Sequence, residues 1–148
     1  ERNMSGLPVP WRADLTLEGL NSYAKGTMVE GLGIVFTEIG PNFLRGTMPV
    51  DERSCQPMGV LHGGASVAFA ETLASTASNA TMDDAHRVLG QEINANHLRP
   101  VPKGERITGT TYLLHAGARS QVWSIEIHND RGQLVCISRI TMAVINRR

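Results

Sequence analysis

Residues 63–78, reading Gly-Gly-Ala-Ser-Val-Ala-Phe-Ala-Glu-Thr-Leu-Ala-Ser-Thr-Ala-Ser, constrain this chain more than any other segment. The run is apolar or small nearly all round and lacks the polar stripe of a surface helix. That pattern predicts a helix from 63 to about 80 that other structure encloses. Its alanines and serines let a sheet approach closely. Glu71 is the one formal charge between Arg53 and Asp83. Desolvating a carboxylate costs several kcal/mol, comparable with the net stability of a domain, so a carboxylate enclosed there has a purpose beyond packing.

The rest of the chain must supply that enclosure. Residues 16–29 read as an amphipathic helix with Leu17, Leu20, Tyr23 and Ala24 on one side. Two strands follow over 31–40 and 42–50, joined at Gly40-Pro41-Asn42, with Leu44, Met48 and Val50 alternating against Phe43, Arg45 and Thr47. After the central run, four segments rich in β-branched residues, 88–98, 107–114, 121–128 and 134–145, are divided by Pro/Gly/Asp turns and predict strands in hairpin-like succession. In the third, Trp123, Ile125 and Ile127 fall on one covered face. One antiparallel sheet wrapped around one long central helix satisfies both burial demands. This is an α+β hotdog arrangement, a single domain over 1–148 whose first 14 residues are expected to be extended or poorly ordered. Exposed edge strands in such a sheet invite pairing with a second copy.

Charge and motif content exclude several classes of function. Fourteen basic and fourteen acidic residues cancel without long runs of one sign, leaving no electrostatic footprint for nucleic acid or an anionic membrane. No stretch of about 18 apolar residues and no apolar leader is present, and Cys55 and Cys136 lack C-x-x-C spacing. A cytoplasmic protein is the expectation. The five histidines show no paired ligand spacing, so no metal is expected. The chain contains no G-x-S-x-G elbow, Walker loop or G-x-G-x-x-G.

The residues that remain can do carbonyl chemistry. Glu71 and Ser75 stand one helical turn apart on one face and can share a ligand or a water. A carboxylate short of water is a stronger base and nucleophile than a hydrated one. His62-Gly63-Gly64 opens the predicted helix, where unpaired N–H groups form an oxyanion site, or alternatively a tight turn beside a core imidazole. Gln56 carries an amide that can donate to a carbonyl or accept from a water. Asn96-His97-Leu98-Arg99-Pro100 ends a strand with an imidazole and a guanidinium on the same side, either to meet a phosphate or as solvated charges.

The motif Gln56-Pro-x-Gly-x-Leu-His62-Gly-Gly-Ala-Ser-x-x-x-Ala-Glu71-x-x-x-Ser75 resembles the helix motif of hotdog-fold acyl-CoA thioesterases of the phenylacetate-degradation (PaaI) type. Met48-Pro-Val-Asp51, Glu92-Ile-Asn-Ala-Asn-His97-Leu-Arg99, Gln121-Val-Trp-Ser-Ile-Glu-Ile127 and Arg139-Ile-Thr-Met-Ala-Val144 are similar to the 1,4-dihydroxy-2-naphthoyl-CoA and enterobactin-proofreading branch. The resemblance spans roughly residues 32–144. It implies an acyl-CoA substrate, aromatic or medium-chain, with coenzyme A arriving as part of the substrate and no further cofactor. Glu71 is then the nucleophile or general base, and the Gly63 N–H polarises the carbonyl with Gly64 beside it. Gln56 and His62 hold carbonyl and water, while Ser75 and His97 line the acyl pocket. Arg99 and the turn Gly117-Ala118-Arg119-Ser120 meet the nucleotide and phosphates, although a related aryl-CoA branch carries hydroxyls where this chain has Ala118 and Arg119. The resemblance also implies a homodimer with shared active sites, paired again into a tetramer. Two rivals keep the same pocket: a (de)hydratase of acyl thioesters and a non-catalytic acyl-CoA-binding module.

Overall fold

The computed structural model describes residues 6–148. Its elements are α1 (Leu17–Tyr23), α2 (Met28–Gly31), β1 (Val35–Ile39), β2 (Phe43–Pro49), α3 (Gly63–Asn79), β3 (His86–His97), β4 (Arg106–Ala116), β5 (Ser120–His128) and β6 (Leu134–Asn146). The strands form one antiparallel sheet in the order β1-β2-β4-β5-β6-β3, and α3 packs on its inner face. This is the hotdog arrangement expected from the sequence.

Three expectations are corrected. The helix expected over 16–29 is two short ones, because the chain turns at Gly26, whose φ of +75° suits glycine, and Thr27 caps α2 by accepting from the Val29 N–H. Of the last four strands, β4, β5 and β6 follow one another as hairpins as expected, but β3 does not pair with β4. β3 crosses to the far edge and pairs with β6, so twelve residues of edge strand lie beyond the sheet's centre. Finally, α3 is enclosed on one side only. Ser66, Phe69, Ala70, Leu73, Ala74, Ala77 and Ser78 are buried against the sheet, while Val67, Ala68, Glu71, Thr72, Ser75 and Thr76 are half-buried. The helix is small and apolar on both faces, but one chain has sheet enough to cover only one.

The core lies between that buried face and the strands. Phe69, Leu73, Leu44, Met48, Ile107, Trp123, Ile125, Ile127 and Ile140 are inaccessible to solvent, which bears out the alternation read along β2 and β5. Close approach comes from the sheet as well as from the helix's small residues: a Cβ on Gly109 of β4 would sit 2.8 Å from the Phe69 ring. At the far end of α3, Ser78 Oγ donates to Gln121 Oε1 (2.7 Å), Trp123 Nε1 donates to the same oxygen (2.9 Å), and Gln121 Nε2 donates to Thr81 Oγ1 (3.0 Å). These polar groups are deep in the protein and satisfy one another.

The segment before α1 lies along the sheet. Leu7 N–H donates to Leu113 O, Val9 is buried, and the Trp11 indole donates to Gly40 O at 2.7 Å. Residues 1–5 of the expected terminal segment lie outside the described residues.

Candidate active site

The loop into α3 is a small hairpin. Gln56 N–H donates to Val60 O, and Leu61 N–H donates to Val101 O at 2.8 Å, clamping the hairpin onto the segment before β4. Within the turn the Gln56 Oε1 accepts the Met58 N–H. Its Nε2 has no partner among the described residues and stays available as a donor.

His62 is the N-cap of α3. Its φ and ψ of −68° and 132° are extended, and its Nδ1 accepts the Gly64 N–H at 2.8 Å. With Nδ1 accepting, the neutral ring carries its proton on Nε2. The imidazole is exposed and is therefore no core histidine. The cap also divides the two glycines: Gly64 spends its N–H internally, whereas Gly63 N–H has no acceptor among the described residues. At the positive end of a 17-residue helix, that N–H is a ready donor to an oxygen that gains charge.

Gly63 opens onto a cavity of about 320 Å³ shared with Ser66, His97, Arg99, Leu61 and Val135. A Cβ at position 63 would lie 3.0 Å from His97 Nε2, so the absent side chain is what lets the imidazole reach the helix start. His97 closes β3, and the main-chain N–H of Leu98 donates to Val135 O (2.8 Å), holding the strand's tail against β6. Gly63, His97 and Arg99, remote in sequence, are thus brought together. Leu61 and Ser66, both within the quoted motif, and Val135 also line the cavity; nothing in its local sequence marks Val135, which reads as an ordinary apolar strand position.

Glu71 is elsewhere. It lies eight residues along α3 from Gly63, about 12 Å at 1.5 Å per residue. Its carboxylate lies against Gly90 in β3, where a Cβ would come within 2.9 Å of Oε2. The enclosed carboxylate expected from the sequence is half-buried, since β3 is an edge and nothing among the described residues covers that side of the helix. The sequence reading missed Gly90, although a glycine within a strand pattern is the signal for a bulge or a close approach. The strand does bulge there, between Gly90 and Glu92.

Ser75 does share the Glu71 face, but the contact its hydroxyl makes is to Met142 Sδ at 3.8 Å. It opens onto a second and larger groove. The turn Gly117, Ala118, Arg119, Ser120 is an exposed hairpin closed by Gly117 N–H to Ser120 O at 2.8 Å. Ser120 pairs with Ala143, which pairs in turn with Leu89, so the turn belongs to the Glu71 end of the sheet and Arg99 to the Gly63 end. One chain therefore holds the expected site residues in two separate groups: Gly63, His62, His97 and Arg99 at one end, Glu71, Ser75 and the turn at the other. Among the described residues no cluster of three or more His, Cys, Asp or Glu is placed to hold a metal ion, and no helix is long and apolar enough to cross a membrane.

Comparison with known proteins places the chain in a family. A family model described as the thioesterase superfamily matches residues 58–136. The proofreading thioesterase EntH of Cronobacter sakazakii is 48% identical over 135 residues, covering 91% of this chain and 98% of that protein. The 1,4-dihydroxy-2-naphthoyl-CoA hydrolase of Escherichia coli is 47% identical over 135 residues with the same coverage. Among solved structures, a thioesterase from Haemophilus influenzae superposes with a TM-score of 0.89 at 43% identity over 93% of this chain and 96% of that one. The E. coli PaaI protein, at 24% identity, shares the fold with a TM-score of 0.76, covering 88% of this chain and 96% of that one.

Proposed function

The chain belongs to the thioesterase superfamily and is a thioester hydrolase, and from that premise we propose that it cleaves aromatic or medium-chain acyl-CoA at a site shared between two copies. The observation that carries this reading is the pairing of an unspent Gly63 N–H with a carboxylate it cannot reach within its own chain. A reacting carboxylate or its water must stand about 3–3.5 Å from the carbonyl carbon while the donor holds the oxygen. The ~12 Å between Gly63 and Glu71 along one helix forbids that.

A two-fold pairing of β3 with a second copy removes the obstacle. The strand is long, largely exposed and unpaired on one side among the described residues. Antiparallel pairing that sets Gly90 against the partner's His97 sets Ile93 against the partner's Asn94, near the strand's middle. It brings the Glu71 of one copy toward the partner's Gly63 and gives two equivalent sites.

In such a site the thioester oxygen accepts from Gly63 N–H and is held further by the free Gln56 amide. Glu71 either adds to the carbonyl carbon, expelling the coenzyme A thiolate and leaving an anhydride that water opens, or takes a proton from the water that adds. Both routes give the free acid and the thiol, and in both the oxygen's negative charge grows where the helix start favours it. His62, with Nε2–H outward, orients water or carbonyl. In this reading Arg99 and the turn at Arg119 meet the phosphates.

The test is thiol release from a panel of aromatic and aliphatic acyl-CoAs by wild type, Glu71→Ala and Glu71→Gln. Loss of about 10²-fold or more in kcat with an unchanged melting temperature is expected. Activity within a few-fold of wild type in both variants removes Glu71 from the mechanism.

A further inference from the structure

The sheet has two edge strands, and an asparagine side chain meets each of them in the same way. At β1, Asn21 of α1 accepts the Phe36 N–H on Oδ1 (2.9 Å) and donates from Nδ2 to Phe36 O (3.0 Å). At β3, Asn79 of α3 accepts the Val88 N–H on Oδ1 (3.0 Å) and donates from Nδ2 to Val88 O (3.4 Å) and to Ser75 O (3.0 Å). A side-chain amide carries the donor and acceptor of a peptide unit, so in both places it stands where a neighbouring strand would.

The Val88 groups do face the open side of β3. Val88 pairs with Val144, and Val144 sends its N–H the other way, to Arg119 O at 2.9 Å. Opposed residues of an antiparallel pair exchange both bonds or neither, so Val88 N–H and O point away from β6. The rest of that edge is unclaimed. Over residues 89–97 the one side-chain bond to the main chain among the described residues is Ser138 Oγ to Asn94 O at 2.8 Å, and it comes from β6. The strand ends where Leu98 N–H turns to Val135 O. Whereas β1 is five residues long and lies under α1, β3 is closed at Val88 and open from Gly90, where Glu71 rests, to His97.

We propose that Asn79 is a positioning residue of the shared site: by closing the edge at Val88 it makes Gly90 the residue that meets the partner's His97, and so fixes the register that carries Glu71 to the partner's Gly63. With Val88 released, the longest overlap sets Val88 itself against the partner's His97. That is a slip of two residues, about 6–7 Å along the strand. It exceeds the roughly 3–3.5 Å at which a carboxylate or its water reacts. The inference rests on the shared-site reading above.

A nitroxide at Arg87→Cys in a Cys55→Ser chain, with Cys136 buried, reads the register as a distance between copies by pulsed electron paramagnetic resonance. With Asn79 in place one distance is expected. Asn79 is exposed and ends α3, so Asn79→Ala is expected to fold, to displace that distance by about 6–7 Å and to lower kcat about tenfold or more. Asn79→Asp keeps the acceptor for Val88 N–H and is expected to restore the distance and most of kcat. Asn21→Ala, the same deletion at the other edge, is expected to change neither. An unshifted distance in Asn79→Ala, a shifted one with wild-type kcat, or an equal shift in Asn21→Ala overturns the inference. A mixed dimer of one Glu71→Gln copy and one Gly63→Pro copy, which lacks the N–H, tests the shared site separately. It keeps one intact site of two, so about half of the wild-type kcat per dimer is expected. An inactive mixed dimer, or no distance between copies at all, overturns the shared site itself. An active mixed dimer with an Asn79→Ala chain that behaves like wild type overturns the role of Asn79 alone.

Discussion

At its C-terminal end α3 is tied to the sheet by Ser78, Gln121, Trp123 and Thr81, whose side chains satisfy one another deep in the protein. At its N-terminal end Gly63 keeps an N–H without a partner among the described residues and faces a cavity with His97 and Arg99. The same helix thus has one end closed by internal hydrogen bonds and one end left open to a ligand. The difference teaches where stability and chemistry reside. A satisfied buried network rigidifies the fold, and an unsatisfied donor at a helix start is useful only to something that arrives.

The comparison can be broken most severely at Gly63. Proline is tolerated at the first helical position, and the extended backbone of His62 suits a following proline. Gly63→Pro is therefore expected to leave the fold intact while removing the donor, with kcat lower by about 10²–10³-fold, or ~2.7–4 kcal/mol. Gly63→Ala adds the same Cβ against His97 but keeps the N–H, so it separates crowding from loss of the donor. Equal kcat for Gly63→Pro and wild type would show that the open end is not an oxyanion site.

At the closed end the expected effect is on stability. Gln121→Leu leaves Ser78, Trp123 and Thr81 without their shared partner. It should destabilise by about 2–3 kcal/mol, lowering the melting temperature by roughly 6–10 °C with kcat little changed below the transition. A variant that melts like wild type but turns over slowly would reverse the roles of the two ends.

Gly90→Ala lies between these cases. The atom that must yield is the tip of a flexible side chain, Glu71 Oε2, so stability should hold. Displacing the carboxylate should still lower kcat about tenfold. Stopped-assay kinetics and thermal melts on the same preparation decide it.

The smallest effect is a pH dependence common to both ends. Arg53, by its hydrogen bond, holds the Asp51 carboxyl below the usual carboxylate range in the loop leading to the open end. His86 does the same for Asp83 just after the closed end. A folded-state titration that is depressed contributes stability above the ordinary carboxylate range and loses it as pH falls through the lowered value. Melting temperatures of Asp51→Asn and Asp83→Asn should therefore trail wild type slightly at pH 6, with the gap starting to close near about pH 4 and vanishing only below the lowered titration. A gap that persists in acid would assign the difference to packing.

Much of this was legible along the chain. The small-residue run gave α3 within a residue of its true bounds, and alternation in β2 and β5 gave the covered faces. The sequence puts His97 and Arg99 on one side of a strand end, and they line one cavity. What could not be read was which group each residue joins. Glu71 and Ser75 stand one turn apart, yet Gly90 and Met142, from strands far along the chain, determine what each touches. The expected enclosure of Glu71 failed for the same reason: burial of a helix face depends on how much sheet reaches it, and β3 ends the sheet there.

By itself the sequence determined the inventory: one central helix with a lone carboxylate, a His-Gly-Gly start and strands enough for one antiparallel sheet. Those are properties of local propensity and periodicity, which act over a turn or a few residues. Only the tertiary structure decided that no distant segment takes the Gly63 N–H, that His97 and Arg99 stand beside it, and that Glu71 rests on an edge strand against Gly90. Whether a polar group is satisfied, and by what, is settled by segments distant in sequence, because a hydrogen bond depends on a few tenths of an ångström that no local pattern encodes.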